Sequence, residues 1–136
     1  MNIDIQPKNI KELFPTDILF QTTYWSGVKS RLGWKPFAFD FKSSTGLQGD
    51  FLVLIRSLGC GLASAHVPQG PEIGPEPERQ GLFLEAISQA MTKHLDAMVT
   101  FIRYDLPWES PYAADNIGDK TWVGHPAPRL RELRMN

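Results

Sequence analysis

The chain has 136 residues, the size of one globular domain that can fold without disulfides or a structural metal. Lys and Arg number 14 against 15 Asp and Glu, a net charge of −1, which argues against capturing nucleic acid by charge alone. The longest apolar run falls far short of the ~20 residues of a membrane helix. The only cysteine, Cys60, cannot form an intrachain disulfide, and "MNIDIQPKN" lacks the pattern of a secretory signal. A soluble cytoplasmic domain is the expectation.

Taken in chain order, "KNIKELF" (8–14) reads as a short helix start with Asn9 as its cap, closed by Pro15. Thr22 or Thr23 caps a helix over about 23–32 that Gly33 stops. Trp25, Val28 and Leu32 fall on one stripe of that helix, with Lys29 at its edge. The period then changes to two. In "WKPFAFDF", Phe37, Phe39 and Phe41 share one face, with Ala38 and Asp40 on the other. "DFLVLIRS" is a second strand, and "LASAHVP" is a third, ended by Pro68. Three strands with short connections make an antiparallel meander.

After the loop "QGPEIGPEPERQ" comes a long helix, "GLFLEAISQAMTKHLDAM" (81–98). Leu82 or Phe83, Ala86, Ile87, Ala90, Met91, Leu95 and Met98 make its apolar stripe. "VTFIRYDLP" is a fourth strand. The resulting order of helix, helix, three strands, helix and strand predicts an α+β fold, an antiparallel-rich sheet flanked by helices. From 108 to 136 turn residues prevail and the period is lost, so residues 1–107 are read as the folded unit and 108–136 as loop and basic linker.

Within "IRSLGCGLA" (55–63), Arg56, Gly59 and Gly61 spell an R-x-x-G-x-G pattern like the pyrophosphate loop of coenzyme A-dependent acetyltransferases. Such a loop needs a following helix whose N-terminus faces the phosphates. Only seven residues separate Gly61 from the end of "LASAHVP" at Pro68, so a hairpin with positive-φ glycines is the simpler account. No cofactor is expected.

Three motifs in order carry a resemblance: Q-x-x-x-W-x-x-V-K-x-x-x-G-W at 21–34, P-x-G-P at 68–71 and I-R-x-D-x-P at 102–107. Together they resemble the Fem family, peptidyltransferases that use aminoacyl-tRNA to add amino acids to peptidoglycan precursors. Members of that family are built from two acetyltransferase-like (GNAT-like) halves and bind no coenzyme A. The resemblance covers residues 20–107 and implies a partial GNAT-like domain matching the N-terminal half. It further implies an acceptor-binding role toward a muropeptide precursor, UDP-MurNAc-pentapeptide or lipid II, with aminoacyl-tRNA as the second partner. The rest of the substrate groove belongs, in the family, to residues absent here, so the chain alone is expected to be inactive. A non-catalytic binding module built on half a GNAT-like fold is the alternative.

By resemblance, Lys29 and Trp34 face the sugar nucleotide or lipid-linked muropeptide: a lysine can pair with diphosphate, a tryptophan can stack on a base or sugar. A lysine snorkelling along a helix and a core tryptophan explain the same residues. Arg103 and Asp105 alternate with Tyr104, so they share a strand face, either as a local ion pair or as a grip on a peptide's charged group. Gln69 and Gly70, with Pro71, make a sharp turn that the resemblance puts near the groove and that equally serves as a rigid corner. His66, His94 and His125 have no metal-like spacing, and no residue is assigned as catalytic. Arg129, Arg131 and Arg134 make a basic tail, read as phosphate contacts or a solvated linker. An unfinished sheet leaves an edge open to homodimer formation.

Overall fold

The structure, a computed structural model, describes residues 1–109. His125, the arginine tail and nearly all of the expected linker lie outside the described residues.

The chain opens with strand β1 (Ile3–Lys8), followed by 3-10 turns at Ile10–Glu12 and Leu19–Gln21 and by helix α1 (Thr23–Arg31). Strands β2 (Lys35–Ser43), β3 (Gln48–Gly59) and β4 (Leu62–Val67) come next, then helix α2 (Gln80–Thr92) and strand β5 (Val99–Tyr104). They form a five-stranded sheet in the order β1-β2-β3-β4-β5. The first three pairings are antiparallel; β4 and β5 run parallel, joined by the α2 crossover that a parallel pair requires. Over the described residues the protein is therefore a mixed α+β fold with a mostly antiparallel sheet and two α-helices.

Local chemistry sets the boundaries. The Asn9 side chain accepts the Lys11 N–H, although what it caps is a single 3-10 turn rather than a helix. Thr22 Oγ1 accepts the Trp25 N–H and starts α1, and Gly33, at φ 93°, turns the chain out of it. At the β3–β4 hairpin Gly59, Cys60 and Gly61 all take positive φ, so "IRSLGCGLA" is the turn and its flanking strands.

The core lies between the sheet and α2. Phe39, Phe41, Phe51, Val53, Ala65 and Val67 on the sheet meet Phe83, Ile87 and Met91 on the helix. Phe41 and Phe83 meet edge to face at 5.5 Å. Each such side chain contributes roughly 1.5–3 kcal/mol on burial. Within the expected α2 stripe, Phe83 rather than Leu82 faces the core, and Met98 lies beyond the helix and exposed.

The opposite face carries α1, and here two expectations need correction. The stripe of Trp25, Val28 and Leu32 is not a core stripe. Leu32 is 68% exposed, Trp25 and Val28 are half-buried, and the one fully buried residue of α1 is Ser26. The helix is anchored by polar contacts and by the residues before it. The second correction is β1, where a strand was not expected. Ile3 and Ile5 turn toward the core, and Pro7 is tolerated because β1 is an edge strand among the described residues.

Candidate functional site

The α1 side of the sheet is built by register. Direct pairing puts Pro36, Leu54, His66 and Arg103 in one row, and Arg56 and Ser64 in the next. Side chains of paired residues share a face, so Arg56, His66 and Arg103 all project toward the α1 side.

What positions α1 over this face is Gln21. Its buried amide sits where β3 and β4 separate beyond the Leu54–His66 pair. Oε1 accepts the Leu52 N–H at 2.7 Å, and Nε2 donates to the Pro68 and Leu52 carbonyls at 2.6 and 3.3 Å. The side chain thus replaces a missing stretch of strand. Gly70 packs directly against this amide, since a Cβ there would lie 2.6 Å from Gln21 Cδ.

Beside this anchor a cationic and aromatic cluster forms. The Trp34 ring is half-buried at the start of β2. Lys29 Nζ stands 4.9 Å from its centroid, Arg56 Cζ 5.4 Å, and the His66 ring 6.2 Å. Lys29 also lies 5.4 Å from the Trp25 ring. Neither Lys29 nor Arg56 has a carboxylate partner among the described residues. The single acid in the cluster among the described residues is Asp105. Its Oδ2 bonds His66 Nε2 at 2.6 Å, and its Oδ1 meets Arg103 Nε at 3.4 Å. Its backbone is fixed on both sides, donating to the Val67 carbonyl and accepting from the Gly70 N–H.

Four of the residues singled out in the sequence, Lys29, Trp34, Arg103 and Asp105, therefore meet on one surface although up to 76 positions separate them (105 − 29). The Arg103–Asp105 ion pair forms, with His66 as a third member. Gln69 and Gly70 stand at its border in a supporting role. Gly70 holds the Asp105 carbonyl and leaves room for Gln21, and Gln69 takes the left-handed φ of 51° that turns the chain before the cis Gly70–Pro71 bond. Three residues of this surface had no site role assigned from the sequence: Gln21, Arg56 and His66. Period-two alternation from Arg103 through the parallel partner strand would have reached His66, but only with the β4–β5 register in hand.

A second feature lies further along the same face. A groove of about 630 Å³ is lined by Asp4, Asp40, Asp50, Glu72, Phe14 and Ile73 among others. Lys8 bridges two of the lining carboxylates, Asp40 and Asp50, at 2.8 and 2.7 Å. Burial pulls the Lys8 pKa down, but hydrogen bonds and attraction from the two carboxylates outweigh it, so the net shift is upward. Four carboxylates against Lys42, the single lining cation among the described residues, leave this groove net acidic, the wrong sign for an anionic ligand. On the core side, Tyr104 bonds Ser88 Oγ at 2.8 Å, and burial pushes its phenol up to about 12.

Among the described residues no group of His, Cys, Asp and Glu is placed to hold a metal ion, and no helix is long and apolar enough to cross a membrane. The sequence matches no protein-family model and no curated protein.

Proposed function

We propose that this chain is the acceptor-binding part of a Fem-type, aminoacyl-tRNA-dependent aminoacyltransferase with a GNAT-like fold, and that the Trp34 surface receives the anionic muropeptide precursor. What supports this most is the convergence of Lys29 and Arg56 on one indole, with Arg103 paired to Asp105 across the neighbouring His66. Two of these cations lack a carboxylate partner among the described residues. Cations without internal partners favour a diphosphate, and an indole face offers stacking to a base or sugar. The mixed sheet with helices on its two faces agrees with the half-domain that the sequence resemblance implies.

In this setting the surface binds and orients the acceptor. Arg56 and Lys29 neutralise its phosphates while Trp34 fixes its ring, and the acceptor amine is directed toward His66 and Asp105. The test is titration with UDP-MurNAc-pentapeptide, followed by calorimetry. Lys29→Ala or Trp34→Ala should weaken binding at least tenfold, a loss of about 1.4 kcal/mol. No binding at roughly millimolar ligand would leave the non-catalytic module as the better account.

A further inference from the structure

We infer that His66 is an acid–base group of this surface, with Asp105 holding its Nε2–H and Nδ1 left as the proton acceptor for an amine. The role rests on the cluster being the acceptor surface proposed above, and it adds the base that no sequence motif supplied.

The orientation of the imidazole follows from its partner. An ionised carboxylate only accepts hydrogen bonds, so an Nε2 atom 2.6 Å from Asp105 Oδ2 carries the proton. In the neutral ring the lone pair then lies on Nδ1, which makes no hydrogen bond among the described residues. Asp105 is itself held by Val67, Gly70 and Arg103, so the ring is steered by a fixed carboxylate. His66 has one nitrogen engaged, and its side chain is 20% exposed beside Trp34.

The chemistry balances for aminolysis of an aminoacyl ester. The acceptor ammonium first loses a proton to water through Nδ1. The neutral amine then attacks the ester carbonyl, forming the C–N bond and a protonated nitrogen. Nδ1 takes that nitrogen's proton and delivers it to the ribose oxygen as the C–O bond breaks. The products are an amide and a free ribose hydroxyl, with one proton released overall. The ester itself is the co-reactant that this surface does not hold.

Two measurements on the full chain test the assignment without any nucleotide. Proton–nitrogen correlation NMR of the imidazoles should show His66 as the Nε2–H tautomer. Diethylpyrocarbonate should label His66 through its open Nδ1, with the more exposed His94, which has no carboxylate partner among the described residues, as the reference. In Asp105→Asn, the amide can donate to Nε2 and force the proton onto Nδ1, so His66 labelling should slow about tenfold while His94 is unchanged. An Nδ1–H tautomer in the wild-type chain, or a His66 that diethylpyrocarbonate leaves unlabelled, overturns the assignment even if the Asn variant fails to fold. UDP-MurNAc-pentapeptide that fails to bind would sink the acceptor surface while leaving these histidine results standing.

Discussion

Removing the Gln21 amide and filling the space beside it should be strongly coupled perturbations. Gln21→Ala strands the Leu52 N–H and the Leu52 and Pro68 carbonyls, all in a buried setting. Each unsatisfied buried group costs about 1–3 kcal/mol, and water entering the vacated space recovers part of this, so a net loss of ~3–4 kcal/mol is expected. Gly70→Ala puts a methyl 2.6 Å from an amide pinned by three hydrogen bonds. The amide cannot swing away, and overpacking of this kind costs about 1–3 kcal/mol. Gly70 does not occupy the left-handed φ region, so its penalty comes from space and not from backbone strain. That difference makes the double mutant decisive. With Gln21 shortened, the methyl added by Gly70→Ala occupies vacated volume, and its cost should fall to near zero. Urea denaturation of the four proteins, followed by tryptophan fluorescence, should give a coupling of about 2 kcal/mol. Additivity within ~0.5 kcal/mol would refute the idea that Gly70 is glycine on account of Gln21.

Three further outcomes are expected. Lys8→Met leaves the directly paired Asp40 and Asp50 facing each other without a bridge. With Asp40 partly solvated, the loss near neutral pH should be ~2 kcal/mol and should shrink as acid protonates the carboxylates; unchanged urea midpoints would contradict the bridge. The upward-shifted Lys8 pKa means that its stabilisation is complete below the unfolded value of 10.5 and is lost as pH rises through the folded one. Tyr104, shifted from 10.0 to about 12, contributes stability below pH 10 that is lost as pH rises through the folded value. Tyr104→Phe should cost ~1 kcal/mol at neutral pH and make the alkaline decline shallower, by up to ~2–3 kcal/mol; an equally steep decline sinks the assignment. Gly74→Ala would overlap the Trp108 indole, which packs on Phe83 and donates to the Glu72 carbonyl. It should destabilise by about 1–3 kcal/mol and red-shift the fluorescence; a silent substitution would show that Trp108 is not held there.

The parts of the fold legible in the sequence were those set by local chemistry. Thr22, Gly33, Gly59 and Gly61 mark turns and caps through their own backbone requirements, and Phe37, Phe39 and Phe41 announce a half-buried strand. α2 was readable because its buried residues repeat with helical period. What failed depended on distant partners. α1 reads as amphipathic, yet Gln21 and Ser26 are buried where its apolar residues are not. No periodicity reports that a glutamine amide will stand in for a strand. β1 is six residues with a proline and charges at an edge, so only Ile3 and Ile5 signal it. For the site, same-face logic found Arg103 and Asp105, while His66 became visible only through the parallel pairing of β4 with β5. Arg56 attracted notice for the wrong reason, as part of a glycine pattern, and its contact is with Trp34.

The near-zero net charge also conceals how charge is arranged. On the α1 side of the sheet, Lys29, Arg56 and Arg103 gather over β3, β4 and β5, while Asp4, Asp40, Asp50 and Glu72, against Lys42 as the one lining cation among the described residues, line the groove over β1, β2, the start of β3 and the loop after β4. The two regions share one face because Asp40 and Asp50 have the same strand parity as Leu54 and its partner His66. A long ligand with phosphates at the Trp34 cluster and a neutral or cationic far end over the groove would feel opposite potentials at its two ends, which fixes direction as well as position. A compact polyanion such as a nucleic acid backbone would be attracted at one end and repelled at the other. Salt separates these cases. Binding of a short diphosphate ligand to the Trp34 cluster should weaken modestly between low and physiological ionic strength, because only two or three cations engage it. Duplex DNA or RNA should bind no better than a net-neutral surface allows, with no steep salt slope to recover. A strong, salt-dependent affinity for nucleic acid would mean that the acidic groove does not oppose the cationic cluster. The charge segregation would then carry no directional information.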